Sequence, residues 1–367
     1  MKKPIFLFFV ILLQFLFLFS CKKSTEPITN NTGPDTTSHE YNWKVDTLQG
    51  YPDAMQVLIS DIWGTDENNV WAVGHSDDVD YQIWRWDGAN WISFFPEITG
   101  QRHSPSFSAI YGFSENDFWI VGAGLYYKDD TSNELNSIDY ILRYNSGEWK
   151  RIREINAPAC YSIWGTSSNN LYIGCDSGIV IHKDQNVWTR QQTPHKSQII
   201  KISGVSEQEV YATGVLLYFV TGVLNYKYYL YKYYNENWMT IDSIDTSLPK
   251  DQWPFGQVIW GMDNGYLYSA GGNGIYVYSN NIWVKLLGGH PFGAVYGNSP
   301  NNIFAAALFG VLYHYNGNTW KKDEFFDKYY FDAIGDIWCN ENYVFLAVEN
   351  LYISYIFRGE KRVLERR

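Results

Sequence analysis

Positive charge is scarce in this sequence: 28 Lys plus Arg stand against 39 Asp plus Glu, for a formal net charge of −11. A chain that displaces counterions from nucleic-acid phosphates needs a basic excess, and none is present, so no nucleic-acid partner is expected. Charge of either sign reaches only 18% of 367 residues, unlike the charge-rich, aromatic-poor composition of a disordered protein. The four cysteines form no Cys-x-x-Cys pair and the seven histidines no His-x-x-x-His pair, so the sequence offers no metal site of those types. A Gly-rich phosphate loop and a Gly-x-Ser-x-Gly elbow are also missing, and no cofactor is expected. What the chain has in quantity is aromatic side chains, 16 Trp, 30 Tyr and 21 Phe, ample material for a core.

The N-terminus reads as an address. Lys2 and Lys3 precede an apolar stretch from Ile5 to Phe19 that ends at Ser20-Cys21, the pattern of a signal peptide over residues 1–20. The stretch is shorter than the ~20 residues of a permanent membrane span. Leu18-Phe19-Ser20-Cys21 resembles the lipobox of bacterial lipoproteins, which implies cleavage before Cys21 and a diacylglycerol on its thiol. The alternative is an ordinary secretory signal followed by an unrelated Cys. Residues 21–39 are polar, rich in Thr, Asn, Pro and Ser, and read as a flexible tether. Lys22 is unlike the Asp of the inner-membrane retention signal, so the expected location is the outer membrane of a cell envelope, with the chain attached through its lipid.

Residues 40–367 are a repeat. An aromatic-Gly step, a turn with Asn, two β-rich runs, a tight turn and a Trp recur. The first copy is Ile62-Trp63-Gly64 with Asn69-Val70-Trp71-Ala72-Val73-Gly74 and Trp91. Anchors follow at Gly112, Gly165, Gly204, Gly261, Gly297 and, in degraded form, Cys339, a mean spacing of about 46 residues that suits four short strands. Turns such as Asp87-Gly88 and Asn316-Gly317 read as hairpins. The expected fold is all-β: a seven-bladed β-propeller of four-stranded antiparallel blades.

The Ile-Trp-Gly, Asn-x-Val-Trp-Ala-Val-Gly and Asp/Asn-Gly-x-x-Trp elements resemble the propeller repeats of secreted and lipid-anchored proteins of Bacteroidetes and related bacteria, over nearly all of residues 57–362. The resemblance implies a fold more than an activity, since propellers host enzymes, lectins and scaffolds alike. The last copy has Arg358 in the region where a Trp is expected, while Glu40 to Val45 looks like an outer strand without a blade. That strand is expected to pair with the C-terminal blade and close the ring, leaving no sheet edge.

The recurring Trp residues, Trp63, Trp164 and Trp260 among them, are read as packing between blades, because a residue required once per blade is required by the repeat. The anchor glycines are read as allowing close approach or a positive φ. Cys160 and Cys175 flank a hairpin; a turn centred between Ser167 and Ser168 would pair residue 165 with 170 and 160 with 175, which permits a disulfide or leaves two neighbouring buried thiols.

The connections on one face stay short in every copy, whereas the other face carries every insertion, and loops on a rigid scaffold commonly carry function. The candidate ligand residues there are Tyr126, Tyr127, Trp253, Arg102, His103 and Asp129, aromatics beside polar groups that suit a glycan or an envelope protein. The alternative for each is that it folds back over its own loop. No catalytic residue is assigned; the expected role is a monomeric, non-catalytic binding module. A glycan-active hydrolase or lyase is the alternative and would need two carboxylates about 5 to 10 Å apart, with Asp129, Asp130, Asp251 and Asp77 as candidates.

Overall fold

The computed structural model of the protein describes residues 37–48, 55–78, 81–94, 104–127, 135–262 and 264–362. The expected signal peptide, Cys21 and the tether up to residue 36 lie outside the described residues. Asp35–Arg367 form one compact unit. Among the described residues the secondary structure is β, with three short 3-10 turns at Asp176–Gly178, Lys250–Gln252 and Glu324–Lys328.

The strands form five four-stranded antiparallel sheets and one eight-stranded sheet. The four-stranded sheets begin with Ser104–Ser114, Cys160–Ser167, Gln198–Ser206, Val258–Gly261 and Phe292–Ser299, each followed in order by its three partners. In the eight-stranded sheet, Val57–Asp66 leads one set of four and Ala333–Cys339 leads another. One parallel bridge, Val57 to Ile353, joins the two sets. The fourth strand beside Ile353–Lys361 is Tyr41–Thr47, antiparallel from Tyr41 opposite Lys361 to Thr47 opposite Tyr355. The N-terminal strand thus pairs where the sequence left the last copy a strand short.

Each first strand packs beside the first strand of the next sheet, and Ala333–Cys339 also packs beside Val57–Asp66. This arrangement explains the burial pattern. Second strands such as Asn302–Ala307 and Leu267–Gly271 are buried along their whole length, because a neighbouring sheet covers each of their faces. Fourth strands such as Glu148–Arg151 alternate exposed and half-buried residues. The core lies in the wedges: Trp71, Val73 and Ile83 of one sheet cluster with Phe107, Phe118, Ile120 and Tyr140 of the next.

The anchor glycines serve close approach. A Cβ on Gly112 would stand 2.4 Å from the ring of Trp63, and one on Gly204 would stand 2.3 Å from that of Trp164. Neither glycine has a positive φ, so of the two reasons read from the sequence only the steric one applies. The recurring Trp of one sheet therefore lies on the recurring Gly of the next, and the pair is a joint.

Cys160 and Cys175 are joined by a disulfide. They face each other in the register, but the route differs from the sequence expectation. The turn pairs Ser167 with Asn170, and Gly165 pairs with Leu171 rather than with residue 170. Two bulges, between Gly165 and Ser167 and between Cys160 and Ser162, shift the register back until the cysteines meet. Cys339 occupies an anchor position as a buried free thiol, and burial pushes its pKa far up.

Because every sheet is an antiparallel meander, the first-to-second and third-to-fourth turns lie at one end, called here the short-turn end. The second-to-third turns and the links between sheets lie at the other, the long-loop end.

Candidate functional site

Three residues before each anchor the seven copies carry Asp61, Ala109, Ser162, Lys201, Val258, Ala294 and Asp336. Four are small or apolar and three are ionisable, and the fold brings those three together. They border a cavity of about 740 Å³ enclosed by the first strands. The residues immediately before the anchors line it as well: Trp63, Tyr111, Trp164, Trp260, Tyr296 and Trp338, with Ser203 in the fourth copy. The lining continues to Ser206, Asn298 and Pro300 at the first-to-second turns, so the cavity extends toward the short-turn end.

The carboxyl groups are fixed by backbone. Asp61 Oδ2 accepts from Ile110 N–H at 2.8 Å, and Asp336 Oδ2 accepts from Ile62 N–H at 2.9 Å. Each carboxyl therefore bridges to the next first strand, the same link that Ser203 Oγ makes by accepting from Gly261 N–H at 2.8 Å. Asp336 is also hydrogen-bonded to Asp61, and burial followed by the Asp61 charge holds its carboxyl well above the usual range.

Lys201 reaches this pair from another sheet, with Nζ 3.8 Å from Asp61 Oδ1. Burial pulls its pKa down, but the Asp61 and Asp336 charges outweigh burial and leave the ammonium above its ordinary value. Its side chain is 35% exposed although it stands deep in the molecule, because it borders the cavity. The floor thus presents an ammonium beside two carboxyl groups beneath a collar of aromatic rings. Such a set can hydrogen-bond and stack, as binding sites do. A glycosidase pair needs about 5 Å or more between its carboxyl groups, and two acids hydrogen-bonded to each other are closer than that.

The residues singled out from sequence fall elsewhere. Arg102, His103, Asp129 and Asp130 lie outside the described residues. Tyr126 and Tyr127 belong to the strand Asp117–Tyr127, opposite Asn136 and Leu135. Trp253 packs against the buried cluster that contains Phe255 and Leu267 and donates its indole N–H to Leu248 O at 3.2 Å, so it covers its own loop. Asp77 accepts from Met55 N–H and Gln56 N–H, and Asp251 sits in the 3-10 turn Lys250–Gln252; neither borders the cavity. Among the described residues no cluster of three His, Cys, Asp or Glu is placed to hold a metal ion. Sequence reasoning missed Asp61, Lys201 and Asp336. The available sign was the exchange of small residues for ionisable ones at one repeat position.

Successive four-stranded antiparallel sheets, with first strands lining a central cavity, define a β-propeller-type scaffold. Solved structures similar to this chain have that fold. One, described as YCF48 bound to D1 peptide, is 16% identical with a TM-score of 0.61, covering 89% of this chain and 99% of that one. Another, YCF48 from Cyanidioschyzon merolae, is 14% identical with a TM-score of 0.53, covering 87% and 98%. No family model matches the chain, and no curated protein matches it.

Proposed function

We propose that this chain is a seven-bladed β-propeller, closed by the strand Tyr41–Thr47 and held in the cell envelope through a lipid on Cys21, that serves as a non-catalytic binding module. Its ligand site is the central cavity, and its ligand is a segment of another envelope protein. The observation that carries this reading is the aromatic collar above Lys201, Asp61 and Asp336. Closure is supported by the pairing of Tyr41–Thr47 with the last sheet and by the contact of the last first strand with the first. Long connections mark where the chain is elaborated; the cavity marks where unlike chemical groups converge, and it lies toward the opposite end.

The choice of a polypeptide is supported by the similar YCF48 structure, which holds a peptide. A glycan is the second reading, favoured by the half-buried rings of Trp63 and Trp260, which border the cavity beside Asn264 and Asn298 and suit stacking on sugar faces. The test is a Trp-fluorescence titration of residues 22–367 with a panel of envelope-protein peptides and a panel of oligosaccharides, repeated with Lys201→Met and Trp260→Leu. Saturable binding to a peptide that both substitutions weaken at least tenfold is expected. Binding that neither substitution changes would move the site out of the cavity.

A further inference from the structure

The long-loop end carries many of the exposed apolar side chains, among them Leu217, Phe219, Val223, Phe309, Tyr330 and Leu351, while Val187, Tyr234 and Ile282 are exposed at the short-turn end. A long hairpin projects there between the second and third strands of the sheet that begins at Gln198. In that sheet the first strand pairs only as far as Val215, and the fourth reaches Lys227 from its other side. From Leu216 to Tyr226 the two middle strands pair almost entirely with each other, ending in Val220 opposite Val223. Five residue pairs at about 3.4 Å per step make a ribbon projecting ~17 Å.

Residues 216–226 contain no charged side chain. Opposed residues of an antiparallel pair share a face. One face of the ribbon therefore carries Phe219 with Leu224 and Leu217 with Tyr226, and the other carries Val220 with Val223 at the tip. Phe219 is 72% exposed and Val223 61%, so the tip is apolar on both faces, while further back the second face carries Tyr218 opposite Asn225 and Leu216 opposite Lys227. Behind the tip, Tyr226 and Tyr228 stack, and Lys227 lies against Tyr229.

The same end carries two further apolar turns. Leu308-Phe309 closes the second and third strands of the sheet that begins at Phe292, and Leu351-Tyr352 does so in the sheet that begins at Ala333. Phe309 and Leu351 each hold a positive φ, uncommon for bulky residues, and both are more than half exposed. Tyr330, in the link between those sheets, is 82% exposed. Nearby acids are engaged by these segments: Asp332 accepts from Leu351 N–H, and Asp245 accepts from the Tyr218 hydroxyl.

We infer that the long-loop end is a lipid-facing surface whose hairpin tip, residues 217–224, inserts into the interfacial region of a bilayer. A groove on a protein covers one face of a ribbon, whereas acyl chains solvate both faces at once, and the tip of this ribbon, Phe219 with Leu224 and Val220 with Val223, is apolar on both. Aromatic rings and a lysine behind an uncharged tip are the order in which side chains partition across a membrane interface. Several apolar tips at one end of a rigid body suit a flat partner. The acidic chain, with net charge −11, has no basic surplus to hold it on anionic lipid, so apolar contact must do so.

The test uses residues 22–367 with an N-terminal hexahistidine tag, captured on phosphatidylethanolamine/phosphatidylglycerol vesicles through a nickel-chelating lipid. Capture in this way makes the result independent of whether Cys21 carries a lipid and of what fills the cavity. An environment-sensitive NBD label is placed at Val220→Cys, at Phe309→Cys or, as control, at Gln185→Cys in a short-turn-end turn. The first two labels should shift blue and be quenched severalfold more by nitroxide on the acyl chain than by aqueous iodide, while Gln185→Cys should behave oppositely. Adding Phe219→Asp and Val223→Asp, at exposed positions where an unchanged melting temperature is expected and checked, should return the Val220→Cys label to its aqueous spectrum. An aqueous spectrum at both tips on captured vesicles would overturn the inference, and a protein cross-linked to the tip instead would do the same.

Discussion

Trp91 donates its indole N–H to Asp46 Oδ2 at 3.0 Å across 45 residues of chain. The same relation links other outer strands: Trp238 donates to Gln191 at 2.8 Å and Trp283 to Asp242 at 3.1 Å, each reaching the outer strand of the sheet before it. Trp43 in turn donates to Asp323 at 2.8 Å. The strand Tyr41–Thr47 therefore accepts from the sheet after it and donates to the sheet before it, as a fourth strand should. Asp46 also takes both arms of Arg358, whose guanidinium lies 3.9 Å from the Trp86 ring centre.

Asp46→Ala leaves a partly buried guanidinium and an indole N–H without their acceptor and should cost about 2 to 3 kcal/mol. Asp46→Asn keeps an acceptor and should cost about half as much. Urea unfolding of the two variants measures the difference, and equal losses would show that the charge on Asp46 does not matter.

The Gly112 joint is steric. Gly112→Ala places a methyl 2.4 Å from the Trp63 ring and should destabilise by roughly 2 to 4 kcal/mol through overpacking. Combining it with Trp63→Leu should be clearly less than additive, since the smaller side chain vacates the space. Additive losses in the double-mutant cycle would mean that the glycine serves something other than the ring.

His314 supplies a pH dependence. Burial, then the nearby His39 and Lys361, pull its pKa down to about 3. The unfolded chain thus binds a proton between pH 6.5 and 3 that the folded chain refuses, so its contribution to stability falls as pH drops through that window, by up to ~1.4 kcal/mol per pH unit. His314→Gln, which cannot take up that proton, should flatten the stability profile between pH 6.5 and 4. An unchanged slope would assign the acid sensitivity to other groups.

The Cys160–Cys175 disulfide closes a separation of 15 residues, a loop for which chain entropy alone gives about 3 kcal/mol. Cys160→Ala with Cys175→Ala should lower stability by about that amount without changing the fold, read as a shift of the urea midpoint. No change would mean that the two strands are already held together in the unfolded chain.

The sheets were legible in the sequence because their signals are local. Trp71, Trp119 and Tyr172 recur where neighbouring sheets must be filled, and glycines recur where those rings need room. The register around Cys160 was less so: two bulges restore a pairing that the assumed turn had reached by a shorter route, and bulges leave no composition mark. The site was hidden for a different reason. Asp61, Lys201 and Asp336 lie up to 275 residues apart on the first strands of three different repeat copies, and each is unremarkable in its own segment. Only comparison of the same position across copies makes them stand out. Loop length and exposed aromatics drew attention to the other end, where Trp253 turned inward.

The assignment of the two ends is tested most directly by a photo-crosslinking amino acid placed at Trp260 in the cavity, at Val220 on the hairpin tip, or at Trp253 as a reference, in the full chain expressed in its native envelope. The account predicts a discrete protein adduct from position 260, lipid adducts from position 220, and neither from position 253. A protein adduct from position 220 with none from position 260 would contradict it.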